Sequence, residues 1–134
     1  MKHCLALIVL LLVGLASGAN QACAEGPIKD PQLEMVIKAV LKVKQIDKPV
    51  IEEADLKSIF ILDARNKGIK ELTGLEKCPN LVEVKLSGNA IESLVPLAEL
   101  KNIQSLYLSN NQIKNTDPLS GLTGLVNLSL NNNP

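Results

Sequence analysis

The sequence predicts an α/β repeat: a right-handed solenoid with a short parallel sheet and an N-terminal helical cap. Three observations lead there. A period of 22 residues runs from Ile59 to the end of the chain. Within each period the apolar residues first alternate and then recur every third position. Ahead of the first period, Asp30-Pro31 opens a segment whose apolar residues share one helical face.

The N-terminal residues read as an address. Lys2 precedes a continuous aliphatic run from Leu5 to Val13, small and polar residues follow, and Ala22-Cys23-Ala24 supplies an A-x-A cleavage pattern. That is the layout of a secretory signal peptide over residues 1–24, and its apolar run is shorter than the roughly 20 residues a membrane span requires. An alternative is a lipoprotein acylated at Cys23, although Asn20 stands where a lipobox carries an aliphatic residue. Removal of the leader takes away His3, Cys4 and Cys23, so Cys78 is the only thiol left and no imidazole remains. It also leaves one more acidic than basic residue. A chain so close to neutral does not bind nucleic acid by bulk electrostatics.

Four lines of the repeat begin at Ile59, Leu81, Ile103 and Leu125, the last cut short at Pro134. Positions 1, 4, 6, 11, 14, 17 and 20 are the expected core columns. The first line fills them with Ile59, Leu62, Ala64, Ile69, Leu72, Leu75 and Cys78, and the second with Leu81, Val84, Leu86, Ile91, Leu94, Leu97 and Leu100. The third departs only at Thr116, and the last keeps Leu125, Leu128 and Leu130. Positions 4 and 6 have the two-residue period of a half-buried strand. Positions 14, 17 and 20 suit a 3₁₀ turn, which Pro96 and Pro118 are placed to start. Position 9 carries Lys67, Asn89, Asn111 and Asn133. An asparagine at such a bend can bond backbone groups of its own turn and of the next coil, so Asn89, Asn111 and Asn133 read as a structural ladder rather than ligand contacts.

The pattern LxxLxLxxNxI followed by xxPLxxL resembles the 22-residue leucine-rich repeats of the bacterial internalin-like family, from Ile59 to Pro134. The resemblance implies a curved, parallel-stranded leucine-rich repeat solenoid used for binding other proteins. It also implies a small helical cap ahead of the repeats, which extends the likeness loosely to residue 30.

Residues 25–58 supply that cap and its linker. Asp30 is placed as the N-cap and Pro31 as the first helical residue. Leu33, Val36, Ile37, Val40 and Leu41 follow on one face, with Lys42 and Lys44 near the C-terminal end of the helix dipole. Ala54, Leu56 and Ile59 suggest a second, shorter helix. Residues 59–134 hold three full repeats and one truncated one, and no polar terminal cap follows Leu130. The expectation is a truncated fragment of a longer array, without independent function, or self-association through the uncapped C-terminal repeat.

Function is expected on the outward strand positions, which form the concave face. Position 3 carries Ile61, Glu83, Ser105 and Asn127; position 5 carries Asp63, Lys85, Tyr107 and Ser129; position 7 carries Arg65, Ser87, Ser109 and Asn131. The candidate protein-binding residues are Asp63, Arg65, Glu83, Lys85, Ser105, Tyr107, Asn127 and Ser129. Asp63 and Lys85 face each other as a prospective cross-strand ion pair, and Tyr107 is the aromatic anchor. These 12 positions are fewer than the roughly 20–30 residues a side of a stable interface. No nucleophile–base pair, metal spacing or phosphate loop appears, so catalysis, cofactors and metals are not expected. Asn127-Leu128-Ser129 matches a glycosylation acceptor but gains no weight from the bacterial repeat type. The reading is an exported protein, secreted or periplasmic, with an unidentified protein ligand, no nucleic-acid partner and no membrane span.

Overall fold

The computed structural model describes residues 26–134; the leader assigned to residues 1–24 lies outside them. Helix α1 spans Pro31–Val43 and helix α2 spans Glu53–Leu56. Four strands follow: β1 (Ile61–Asp63), β2 (Glu83–Lys85), β3 (Ser105–Tyr107) and β4 (Asn127–Ser129). They form one parallel sheet in the order β1-β2-β3-β4. Each residue pairs with the residue 22 further on, so Leu62, Val84, Leu106 and Leu128 form one column. Short 3₁₀ turns at Leu75–Lys77, Val95–Leu97 and Asp117–Gly121 carry the chain back, two of them opened by a proline. Parallel neighbours require such a crossover, because a tight hairpin cannot bring strands together in the same direction.

A single aliphatic core results. Leu62, Ala64, Val84, Leu86, Leu106 and Leu108 from the strand segments are fully buried, together with Leu75, Leu97 and Cys78 from the returning segments. Helix α1 adds Leu33, Ile37 and Leu41 to the same cluster. The structure differs from the sequence pattern in α2 and in the last rung, where Leu125 and Leu130 are only partly buried. In α2, Ala54 is exposed and Asp55 is buried instead, its carboxylate accepting from the Glu52 N–H at 3.0 Å and from Lys48 Nζ at 3.2 Å. A four-residue helix has too few turns to hold a fixed apolar stripe, so the capping carboxylate sets its rotation. In the last rung Leu128 is 46% exposed, because no described coil packs against its outer side.

The strands end at a tight bend. Asn66, Gly88, Asn110 and Asn132, all at position 8, adopt φ values of 55°, 75°, 58° and 57°. This left-handed turn is one that asparagine and glycine tolerate. It directs the next residue back over the core edge.

Candidate functional site

Alternation on the strands decides which side chains face outward. With Leu62, Val84 and Leu106 buried, their neighbours two residues apart share the opposite face. The structure therefore brings Asp63, Arg65, Glu83, Lys85, Ser105, Tyr107, Asn127 and Ser129 onto one side of the sheet, in register across four strands. Lys85 lies opposite Asp63, and Tyr107 lies opposite both Lys85 and Ser129.

The charges on this face pair along strands rather than across them. Asp63 takes two hydrogen bonds from Arg65, from Nε at 2.9 Å and from Nη2 at 2.7 Å. Lys85 Nζ lies 3.0 Å from Glu83 Oε1. The expected Asp63–Lys85 ion pair is thus replaced, although the two residues are strand partners. A guanidinium offers a planar fork that matches a carboxylate at two points, and a single ammonium does not. The Arg65 guanidinium holds the Asp63 carboxyl below its ordinary range, with a smaller contribution from Lys85. Both are surface pairs, which solvent screens and which contribute little to stability.

Towards β4 the face becomes uncharged and internally bonded. Asn127 donates to Ser105 Oγ at 3.0 Å, and the Ser109 and Ser129 hydroxyls lie 2.7 Å apart. Tyr107 stands between the charged and the hydroxyl-rich halves, half-buried.

The position-9 asparagines are committed to backbone. Asn89 donates to the carbonyls of Ala64 at 2.9 Å and Leu86 at 2.7 Å, and its Oδ1 accepts from the Lys67 and Ile69 N–H groups. Asn111, buried, donates to Leu86 and Leu108 and accepts from Ile91. Asn133 repeats the pattern with Leu108, Leu130 and Ile113. Each amide joins its own coil to the preceding one, which leaves it little capacity for a ligand.

Sequence reasoning missed Phe60. Phe60 sits at position 2, just before β1, and is 50% exposed, with Ile61 beside it at 56%. A signal was present: position 2 carries Phe60, Val82, Gln104 and Val126, a largely apolar column outside the core set. Two other features lie away from the sheet face. Burial, with a smaller push from Glu76, drives the Cys78 thiol up to about 12. A depression of about 770 Å³ lies among the returning segments, lined by Lys70, Glu71, Glu92 and Ser93 among others, and includes no strand residue. Among the described residues no cluster of His, Cys, Asp or Glu could hold a metal, and no helix is long and apolar enough to cross a membrane.

Comparison with known proteins identifies this architecture. A family model described as leucine rich repeats (2 copies) matches residues 101–134. No curated protein matches the chain. Among solved structures, an internalin (InlF) of Listeria monocytogenes is 30% identical with a TM-score of 0.74, over 85% of this chain and 34% of that one. The functional domain of InlJ from the same species, which includes a cysteine ladder, is 26% identical with a TM-score of 0.71, over 79% of this chain and 23% of its own. The chain thus spans about a third or less of the length of these two structures. With its rungs in 22-residue register and its strands all parallel, the chain carries leucine-rich repeats and shares the fold of these internalins.

Proposed function

We propose that this chain is an exported, non-enzymatic binding module that engages a protein ligand through the concave sheet face. The observation that carries this reading is the placement of Tyr107. The chain holds one Tyr, one Phe and no Trp, and the Tyr stands on the outward sheet face rather than in the core. Tyrosine combines a large apolar body with a polar tip, and is enriched among residues that dominate binding energy. Asp63, Arg65, Glu83, Lys85, Ser105, Asn127 and Ser129 surround it as a polar rim that fixes register and excludes water. The likeness to internalins supports the module's exported character, as does the leader-like composition of residues 1–24, with acylation at Cys23 as the alternative anchoring. The buried, protonated Cys78 thiol supports a binding rather than a catalytic role, since the thiolate is the nucleophile.

A double substitution tests the reading. Tyr107→Ala with Lys85→Ala is expected to weaken an identified partner by about tenfold or more. Unchanged binding would move the site to the convex side or the helical segment. Because no Trp is present, the fluorescence of Tyr107 reports directly on occupancy of this face.

A second reading is favoured by one feature. Val126 is 77% exposed beside the half-open Leu128, an apolar area that supports self-association of the chain. Light scattering is expected to show a dimer that Leu128→Lys abolishes, and a monomer at all concentrations would remove this reading.

A further inference from the structure

We infer that the β1 edge of the sheet carries a second contact area, a ledge of Phe60, Ile61 and Lys44, which receives an aliphatic side chain flanked by a carboxylate on a protein ligand. The inference rests on the reading that the chain binds protein, but it uses none of the residues around Tyr107.

The interior of this protein contains no aromatic ring. Its buried apolar residues are all aliphatic apart from Cys78, although apolar residues make up 46% of the sequence. The lone Phe, which such a core would accept readily, stands instead half in water. A single exposed apolar residue means little, but Phe60 is not single. Ile61 follows it, equally exposed, and Val82 lies alongside, its N–H donating to the Phe60 carbonyl at 2.8 Å. Phe60 and Ile61 are consecutive exposed residues at the start of β1, and half-buried Val82 adds to the apolar part of this shelf.

Lys44 supplies the charge. It is the C-cap residue of α1, and its Nζ lies 5.7 Å from the centroid of the Phe60 ring, a cation–π distance. The neighbouring lysines of this segment have acidic partners: Lys38 pairs with Glu34, Lys42 with Asp47 and Lys48 with Glu52 and Asp55. Lys44 has none within ion-pairing distance among the described residues. The ring holds this ammonium beside an apolar surface without a counter-ion. The complementary ligand therefore places an apolar group on Phe60 and Ile61 and a carboxylate against Lys44. On the sheet side the shelf adjoins charges that are already paired, Asp63 with Arg65 and Glu83 with Lys85, so Lys44 is the cation free to select an acidic ligand there.

The test is an NMR titration of the full chain with N-acetylleucine, which carries the isobutyl group and the carboxylate, and with N-acetylleucinamide, which lacks the charge. The acid is expected to shift the Lys44, Phe60 and Ile61 resonances saturably and to bind about fivefold more tightly than the amide. Lys44→Gln is expected to erase that difference, and Phe60→Ala to remove both responses. Both side chains are exposed, so the remaining resonances should keep their dispersion. Silence of the ledge up to the solubility limit of the acid, or an equal response to acid and amide, overturns the inference. So does a difference that survives Lys44→Gln. Shifts confined to Tyr107 and Lys85 would likewise overturn it while leaving the concave-face reading intact. Shifts at the ledge with Tyr107 silent would support it independently of that face.

Discussion

Asp30 shows how much one side chain can hold together. Its Oδ1 accepts from the N–H groups of Gln32 at 2.9 Å and Leu33 at 3.1 Å, capping α1. Its Oδ2 accepts from Lys70 at 2.9 Å and Glu71 at 3.2 Å, joining the helix start to the first coil. Burial raises the carboxyl, but the four backbone donors outweigh it and leave the group below its ordinary range. The unfolded chain then binds the extra proton first as pH falls. The contribution is complete above the unfolded carboxylate pKa and is lost as pH drops through the folded one, over a window from about pH 5 downwards. Asp30→Ala is expected to cost about 2 kcal/mol or more in urea unfolding near neutral pH. Asp30→Asn keeps one acceptor and should cost less, with a flatter acid limb. A wild-type acid limb in Asp30→Asn would show that this carboxylate is not the titrating group. The cap itself was legible, because Asp-Pro before an apolar helical face is a local signal. The bonds to Lys70 and Glu71 were not, since nothing in the local sequence encodes a partner 40 residues away.

The bend after each strand poses the corresponding question at the scale of the element. Three coils place asparagine at the left-handed position and the second places Gly88 there. The backbone angle alone does not demand glycine, as Asn66, Asn110 and Asn132 show. The neighbouring coil adds a second constraint: a Cβ on Gly88 would lie 1.9 Å from Asn66 Oδ1, so the Asn66 side chain would have to turn away. Elsewhere in the same column the side chains accommodate each other, Asn132 donating to Asn110 Oδ1 at 2.9 Å. Gly88→Ala is expected to destabilise the protein by about 1–3 kcal/mol. In an Asn66→Gly background the loss should shrink, and a double-mutant cycle measures the coupling. Additive losses would assign the cost to backbone strain alone. The periodicity made the bends and core columns readable, because every coil repeats the same geometry. It did not reveal which outward charges pair, since that choice lies between neighbours at similar distances and is settled by the shape of the Arg65 fork.

Across the whole molecule, burial follows position in the stack. Val84 and Leu106 are fully buried between rungs and Leu62 between its rung and the helical segment, whereas Leu128 has a neighbour on one side only. Stability in such an array is approximately a sum over adjacent coils. Cys78, fully buried in the first coil, offers a direct reading of that sum. In a Cys4→Ser, Cys23→Ser background, a disulfide-exchange reagent is expected to label Cys78 only through opening. Labelling should be slower than for a free thiol by about three orders of magnitude or more, and should accelerate with urea. Immediate labelling under native conditions would mean that the first coil is not closed.

The rung-by-rung bonding also decides how the protein yields to tension. Pulled along the stacking direction, the sheet bears load on a few hydrogen bonds at a time, because each strand is only three residues long. The chain should therefore peel in discrete steps, each releasing one 22-residue loop, roughly 70 Å of contour. A tether built this way gives ground gradually, as a ratchet does, where a sheared sandwich would hold and then snap.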